Sequence, residues 1–187
     1  MVQMRIQTLA YVLVGLLILG FIWIYNRIIS LKKRAEGAWS DIDGQLKRRH
    51  DLIPTLVTCV QGYIQHERGT LTEVTALRQT AQATRGIEER GKTEMSLAQQ
   101  LKSLILLAES YPDLKANTTF LDLQRLLTET EDLIQYARRY YNAVVRDFNT
   151  LIGQFPNLLV AKITTFMPLE FFQLENEDEA EAQKVSL

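Results

Sequence analysis

An uncharged apolar run near the N-terminus constrains this chain more than any other feature. Residues 9–25 read LAYVLVGLLILGFIWIY, and the uncharged window around them is Ile6–Asn26. As an α-helix, about 21 residues measure roughly 31 Å, which matches a hydrocarbon core of roughly 30 Å. Trp23 and Tyr25 lie at its end, where amphipathic rings favour the headgroup layer. The run therefore predicts a helix that spans a membrane.

A cleaved signal peptide is the alternative interpretation of this run. Its apolar region would hold roughly 7–15 residues, with a small-residue cleavage site soon afterwards. Here the run is longer, and the first small residues after it are Ala35 and Gly37, beyond a basic cluster. We therefore expect a retained anchor, a transmembrane helix over residues 6–27.

Basic residues predict the orientation of this helix. Arg5 alone precedes the run, whereas several basic side chains follow it. Because Lys and Arg remain on the cytoplasmic side, we expect residues 1–5 outside and the domain after the helix in the cytoplasm. The side chains expected at the membrane interface are Trp23, Tyr25, Arg27, Lys32, Lys33 and Arg34.

Composition limits the remaining classes of function. The net charge of −1 gives no electrostatic argument for binding nucleic acid. Cys59 is the single cysteine, so an intramolecular disulfide and a multi-cysteine metal site are excluded. Its apolar neighbours predict a buried structural thiol. The acidic residues 173–187 have the composition of a flexible tail.

The clearest periodicity predicts one long helix near the C-terminus. Apolar residues recur there at alternating intervals of three and four, which is typical of a seam along one helix face. Asn117 or Thr118 is expected to cap its start, and it should end before Pro156. This seam comprises Phe120, Leu123, Leu127, Thr130, Ile134, Ala137, Tyr141, Val144, Phe148, Leu151 and Phe155.

A second seam follows the anchor and keeps its phase across Pro54. A proline inside a helix removes a backbone hydrogen bond and bends the helix, so a kink is expected there. We predict one kinked helix from the membrane to about Thr84; two helices broken near Asp51 are the alternative. The seam comprises Ala35, Trp39, Ile42, Leu46, Ile53, Leu56, Val60, Tyr63, Val74, Leu77 and Ala81.

The shorter segments complete an all-α prediction. Gly86–Gly91 is expected to be a turn, Thr93–Ser110 an amphipathic helix, and Pro112–Asn117 a connection. Long helices joined by short loops predict an antiparallel bundle over residues 28–172. The apolar residues of Leu158–Phe172 should cap this bundle; the alternative is that they dip into the membrane interface.

No constellation of residues predicts catalysis or metal binding. His50 and His66 lack the Glu-x-x-His and His-Glu-x-x-His spacings of metal sites, so both are expected to be polar surface or groove residues. Arg48 and Arg49 are expected to pair with Glu129 or Glu131, or to contact phospholipid. Tyr136 and Tyr140 are expected to belong to a broad core; a partner surface is the alternative.

Three separated motifs resemble the LemA family. They are RAEGAWSDIDGQLKRRHDLIPTLVTCVQGYIQHE at Arg34–Glu67, SYPDLKAN at Ser110–Asn117, and TETEDLIQYARRYYNAVVRDFNTLIGQFP at Thr128–Pro156. The resemblance implies a membrane-anchored helical bundle in the bacterial inner membrane. It implies no catalytic residue and no cofactor. Relatives are associated with bacterial membranes, including magnetosome membranes, and some family genes neighbour a membrane metalloprotease.

Three functional hypotheses follow. The first is a non-enzymatic scaffold that contacts membrane lipid and forms homo-oligomers, because tethering in a plane concentrates copies of a bundle with long apolar seams. The second is a regulatory adaptor for a membrane enzyme such as a metalloprotease. A hydrolase with an unrecognised site is a third interpretation, which no motif supports.

Overall fold

The computed structural model describes residues 2–64 and 68–173. Within these ranges the chain forms six α-helices and no strand, which confirms the all-α prediction. The helices are α1 (Val2–Gln61), α2 (Arg68–Ala83), α3 (Ile87–Ala108), α4 (Pro112–Lys115), α5 (Thr118–Gly153) and α6 (Asn157–Ile163).

Helix α1 is 60 residues long and begins with the apolar run. Among the described residues it is the one helix long and apolar enough to cross a membrane. The large apolar side chains between Leu9 and Leu19 are each more than half exposed, so the described protein does not cover them. This exposure differs from that of a core helix, whose apolar side chains are buried.

Pro54 lies inside α1, and the helix continues to Gln61. The prediction of one helix as far as Thr84 is wrong, because backbone hydrogen bonds from Tyr63 and Ile64 to the Val60 carbonyl close the helix in a turn. Helix α2 is a separate helix that begins at Arg68 and packs against α3. The periodicity had suggested continuity because both helices bury an apolar face. The kink itself stays a prediction.

Helix α3 begins earlier than expected, so the predicted turn over residues 86–91 is wrong beyond its first residue. Gly86 provides the break with a φ of +86°, a conformation that glycine adopts without strain. Glu88 and Glu89 follow in the first helical turn, where negative charge is favourable. Gly91 is helical and buried, and a Cβ there would clash with the backbone carbonyl of Gln173.

The structure confirms the long C-terminal helix. The Asn117 side chain accepts a hydrogen bond from the Phe120 amide (3.0 Å), as an N-cap does. Phe155 is an exception to the seam: it is 80% exposed, because α5 already ends at Gly153. The other α5 seam residues are buried, namely Phe120, Leu123, Leu127, Thr130, Ile134, Ala137, Tyr141, Val144, Phe148 and Leu151.

The chain divides into two compact units, and both α1 and α5 contribute to each. Of the described residues, those within 2–39 and 140–169 form unit 1, and those within 40–139 and 170–173 form unit 2. In unit 1, half-buried Trp39 packs its ring 5.5 Å from that of Tyr141, and Ile24 and Ile28 join the core. In unit 2, the α1 seam residues Ile42, Leu46, Ile53, Leu56 and Val60 are buried.

Candidate functional site: a buried ion-pair cluster

Three helices of unit 2 bring charged side chains into its interior. Arg49 and His50 come from α1, Glu94 from α3 and Glu131 from α5. Arg49, His50 and Glu94 are only 2%, 3% and 0% exposed. Charged residues are rarely so buried unless they are paired. These four residues are called the Arg49 cluster below.

Arg49 connects the two carboxylates of the cluster. Its Nη2 donates to Glu94 Oε2 (2.5 Å) and to the Glu94 backbone carbonyl (3.1 Å). Its Nη1 donates to Glu131 Oε2 (2.6 Å). Each end of the guanidinium therefore binds a different helix, and Arg49 joins α1 to both α3 and α5.

His50 supports the same buried carboxylate. Its Nε2 lies 3.0 Å from Glu94 Oε1 and 3.2 Å from Oε2, and the latter contact has hydrogen-bond geometry. Arg78 Nε donates to the His50 backbone carbonyl (2.7 Å), which ties α2 to the same region. The expectation that His50 is a surface or groove residue is wrong, since helix packing encloses it.

The charges around Glu94 favour its ionised form. Burial by itself raises the pKa of Glu94, because a charged carboxylate loses its hydration. The hydrogen bond with His50 and the positive charge of Arg49 outweigh this effect, so the pKa of Glu94 lies below its ordinary value. The carboxylate is thus an acceptor at neutral pH.

A second basic residue links the cluster to the surface of unit 2. Arg90 Nη2 lies 2.6 Å from Asp43 Oδ1, and its Nε lies 3.9 Å from Glu94 Oε1. Asp43 is exposed, so this pair is accessible to water. Arg90 therefore connects α3 to α1 beside the buried pair.

An open pocket of about 490 Å³ adjoins the cluster. Arg49 and Glu131 contribute to its lining, together with apolar side chains such as Leu101, Ile105 and Leu127. His50 and Glu94 do not line it. The histidine–carboxylate pair is therefore not part of the pocket lining, and the contacts of the cluster connect α1, α3 and α5.

Within the described part of the chain, no group of three His, Cys, Asp or Glu side chains is placed to hold a metal ion. His66 lies outside the described residues. Cys59 is half-buried, with Sγ 3.9 Å from Asn117 Oδ1, and burial raises the pKa of its thiol. A raised pKa lowers the thiolate fraction and hence the reactivity of this cysteine.

The positions of Arg49, Tyr136 and Tyr140 test predictions made from the sequence. The pairing of Arg49 with Glu131 is confirmed, whereas Arg48 is exposed. Assignment of Tyr136 and Tyr140 to the core is wrong, since they are 67% and 46% exposed. Both point away from the buried face because they are out of phase with the seam.

Glu94 was not predicted, although a signal for it exists. It stands in the same helical phase as the buried residues of α3, Leu97, Leu101, Leu104 and Ala108. Arg49 likewise occupies the seam phase of α1, between Leu46 and Ile53. A charged residue at a seam position on each of two helices is the pattern that indicates a buried pair.

The residues expected at the membrane interface lie in unit 1. Arg27 places its guanidinium 5.5 Å from the centre of the Trp23 ring, and Lys33 pairs with Glu36 on the same helix (2.6 Å). Lys32 Nζ lies 5.8 Å from the Phe166 ring centre, and that ring lies 6.1 Å from Tyr25. Arg34 is exposed.

Comparison with known proteins agrees with the family motifs in the sequence. The LemA family matches residues 38–187. Protein LemA of Metamycoplasma hominis is 26% identical over 177 residues, which cover 90% of this chain and 80% of that protein.

Two further relatives come from Paramagnetospirillum magneticum, the magnetosome proteins MamQ 1 and MamQ 2. Each is 23% identical over 180 residues, which cover 80% of this chain and 64% of the relative. The chain thus spans just under two thirds of the length of these two proteins. With most of its length matched by one family, this chain belongs to the LemA family.

Proposed function

We propose that this protein is a non-enzymatic scaffold that is anchored in the bacterial inner membrane, self-associates there and organises or remodels the membrane. The observation that carries the proposal is the continuity of α1. A single helix of 60 residues bears the exposed apolar run and then core residues of both units, such as Ile28 and Leu46. The anchor is therefore part of the folded domain.

The proposed orientation has the N-terminus outside and the units in the cytoplasm. Arg27, Lys32, Lys33 and Arg34 follow the apolar run, and Arg5 alone precedes it. Basic side chains favour the cytoplasmic face, where anionic lipids attract them.

Two features support a role without catalysis. The buried His50–Glu94 pair does not line the adjoining pocket, and both side chains are almost fully buried. The names of the relatives also denote no reaction, and two of them are magnetosome proteins.

Exposed apolar side chains on α5 supply a surface for self-association within unit 2. Leu133 and Tyr136 are 42% and 67% exposed and lie three residues apart, on one side of the helix. Tyrosine is enriched at protein interfaces because its ring is apolar and its hydroxyl can hydrogen-bond. Anchoring in a plane raises the effective concentration of such surfaces, so weak contacts suffice.

Sizing of the detergent-extracted full-length protein tests this proposal. We expect assemblies larger than one copy from the purified protein alone, and we expect Leu133→Glu with Tyr136→Glu to shift them toward single copies. Glu109→Lys is the matched control, because Glu109 is also exposed in unit 2 but charged. A single copy that captures one stoichiometric membrane enzyme, such as a metalloprotease, would replace the scaffold with the adaptor hypothesis.

A further inference from the structure

Exposed apolar side chains lie in α6 and on either side of it in the chain, all within unit 1. Phe155, Leu159, Ile163 and Met167 follow at intervals of four residues and are 80%, 52%, 72% and 78% exposed. Leu159 and Ile163 share one face of α6, since residues four apart are neighbours on a helix. These four residues are called the α6 stripe.

Other residues of α6 are packed in the core of unit 1. Val160 and Ala161 are 5% and 3% exposed and belong to the same apolar cluster as Ile24 and Ile28 of α1. Ile24 lies inside the uncharged window of α1, and Ile28 lies just beyond it. One helical turn separates them, about 6 Å along the axis. Helix α6 is therefore fixed to α1 at the level where the apolar run ends.

The residues after α6 are held at the same level. The Phe166 ring lies 6.1 Å from that of Tyr25 and 5.8 Å from the Lys32 ammonium. Farther along, the Asn149 side chain hydrogen-bonds both backbone groups of Leu169, at 2.8 and 3.0 Å. The segment that carries Met167 is therefore held to α1 through Phe166 and to α5 through Leu169.

We infer that the α6 stripe is a lipid-binding surface that lies in the headgroup layer of the bilayer crossed by α1. Its occupant is the membrane because the stripe adjoins the end of the lipid-exposed run on α1, where Trp23 is 62% exposed. Amphipathic elements at this level bury their apolar side about 5–10 Å deep. Exposed Lys162 and Arg27 add positive charge that anionic phospholipid attracts. This inference rests on the proposed anchoring and does not require self-association.

Depth-dependent fluorescence quenching tests this surface in the full-length protein. An Ile163→Cys variant in a Cys59→Ser background carries an environment-sensitive dye and is reconstituted in phosphatidylethanolamine–phosphatidylglycerol vesicles. We expect strong quenching by lipids spin-labelled near the headgroup and weak quenching by aqueous iodide. The control is Ser103→Cys, at an exposed position on α3, where iodide should quench strongly. Equal iodide quenching at the two positions would overturn the inference.

A second probe removes the concern that the dye itself inserts into lipid. With the dye at Met167→Cys, Leu159→Glu should reduce lipid quenching severalfold, whereas Leu159→Met should preserve it. Unchanged quenching in Leu159→Glu would overturn the lipid assignment. Protection from iodide that disappears when the protein is diluted in lipid would instead identify a second copy of the chain as the occupant. That result would also overturn the lipid assignment. If the protein is present as single copies and the dye at position 163 is still quenched by lipid, only the scaffold proposal is contradicted.

Discussion

Arg49 and Glu94 form a buried ion pair between α1 and α3, with Nη2 2.5 Å from Oε2 and side chains that are 2% and 0% exposed. Loss of Arg49 leaves the buried Glu94 carboxylate with His50 as its close partner, and loss of Glu94 leaves Arg49 with Glu131. Breaking a buried pair in this way costs about 3–5 kcal/mol, far more than an exposed pair. The pair is therefore a sensitive probe of how the helices are held together.

Arg49→Met should lower the free energy of unfolding by about 3–5 kcal/mol, because it removes the guanidinium that pairs with both Glu94 and Glu131. Chemical denaturation followed by circular dichroism measures this change. Arg48→Met is the matched control, since Arg48 is the exposed neighbour and its loss should change stability by about 0.5 kcal/mol or less. Similar losses in both variants would contradict the buried pairing.

Protonation of Glu94 should lower the stability of the fold in acid. Its pKa in the folded protein lies below the ordinary value of 4.5, so the unfolded chain binds the proton more readily. The stabilisation is complete above the unfolded pKa and is lost as the pH falls through the folded pKa. Melting temperatures measured between about pH 6 and pH 3 should therefore fall more steeply in the wild type than in Glu94→Gln. Parallel curves would exclude this contribution.

Substitutions on the buried and exposed sides of α5 should have different effects on stability. Ile134 is fully buried, so Ile134→Asp places an unpaired charge in the core and should cost several kcal/mol, enough to unfold a marginal domain. Asp132 is exposed, and Asp132→Ala should change stability little. Thermal unfolding of the two variants provides the comparison. A large loss in Asp132→Ala would show that the faces are assigned wrongly.

The proposed orientation predicts where a C-terminal reporter works. A fluorescent protein that folds only in the cytoplasm should be bright after Leu187, and alkaline phosphatase at the same position should be inactive. The basic residues after the apolar run are the physical reason. Active phosphatase would reverse the orientation and place both units outside.

The helices with strong periodicity could be predicted, and their ends were less certain. Leu123, Ile134 and Phe148 repeat at the helical period because one face of α5 is buried, and the sequence records that face directly. The apolar periodicity does not indicate where α1 ends. Val74 and Ala81 belong to α2 but keep the apolar phase of α1, since both helices contribute to one core.

The Arg49 cluster could not be predicted from the periodicity of a single helix. A glutamate on a helix looks the same in sequence whether it is buried or exposed, and Glu94 acquires its role only when α1 and α3 pack together. Its seam phase is a signal, but it needs a basic residue in the corresponding phase of another helix. Arg49 supplies that residue. Tyr136, by contrast, lies out of phase with the α5 seam, and its exposure follows from that position.

The most direct test of the scaffold is the number of copies per assembly in a membrane. Fluorescently tagged full-length protein is reconstituted in vesicles at low density, and single-molecule photobleaching steps are counted for each spot. We expect multi-step spots in excess of random co-occupancy, and fewer of them when Leu133 and Tyr136 are both replaced by Glu. Single-step spots at every protein density, equal in the wild type and the variant, would contradict self-association.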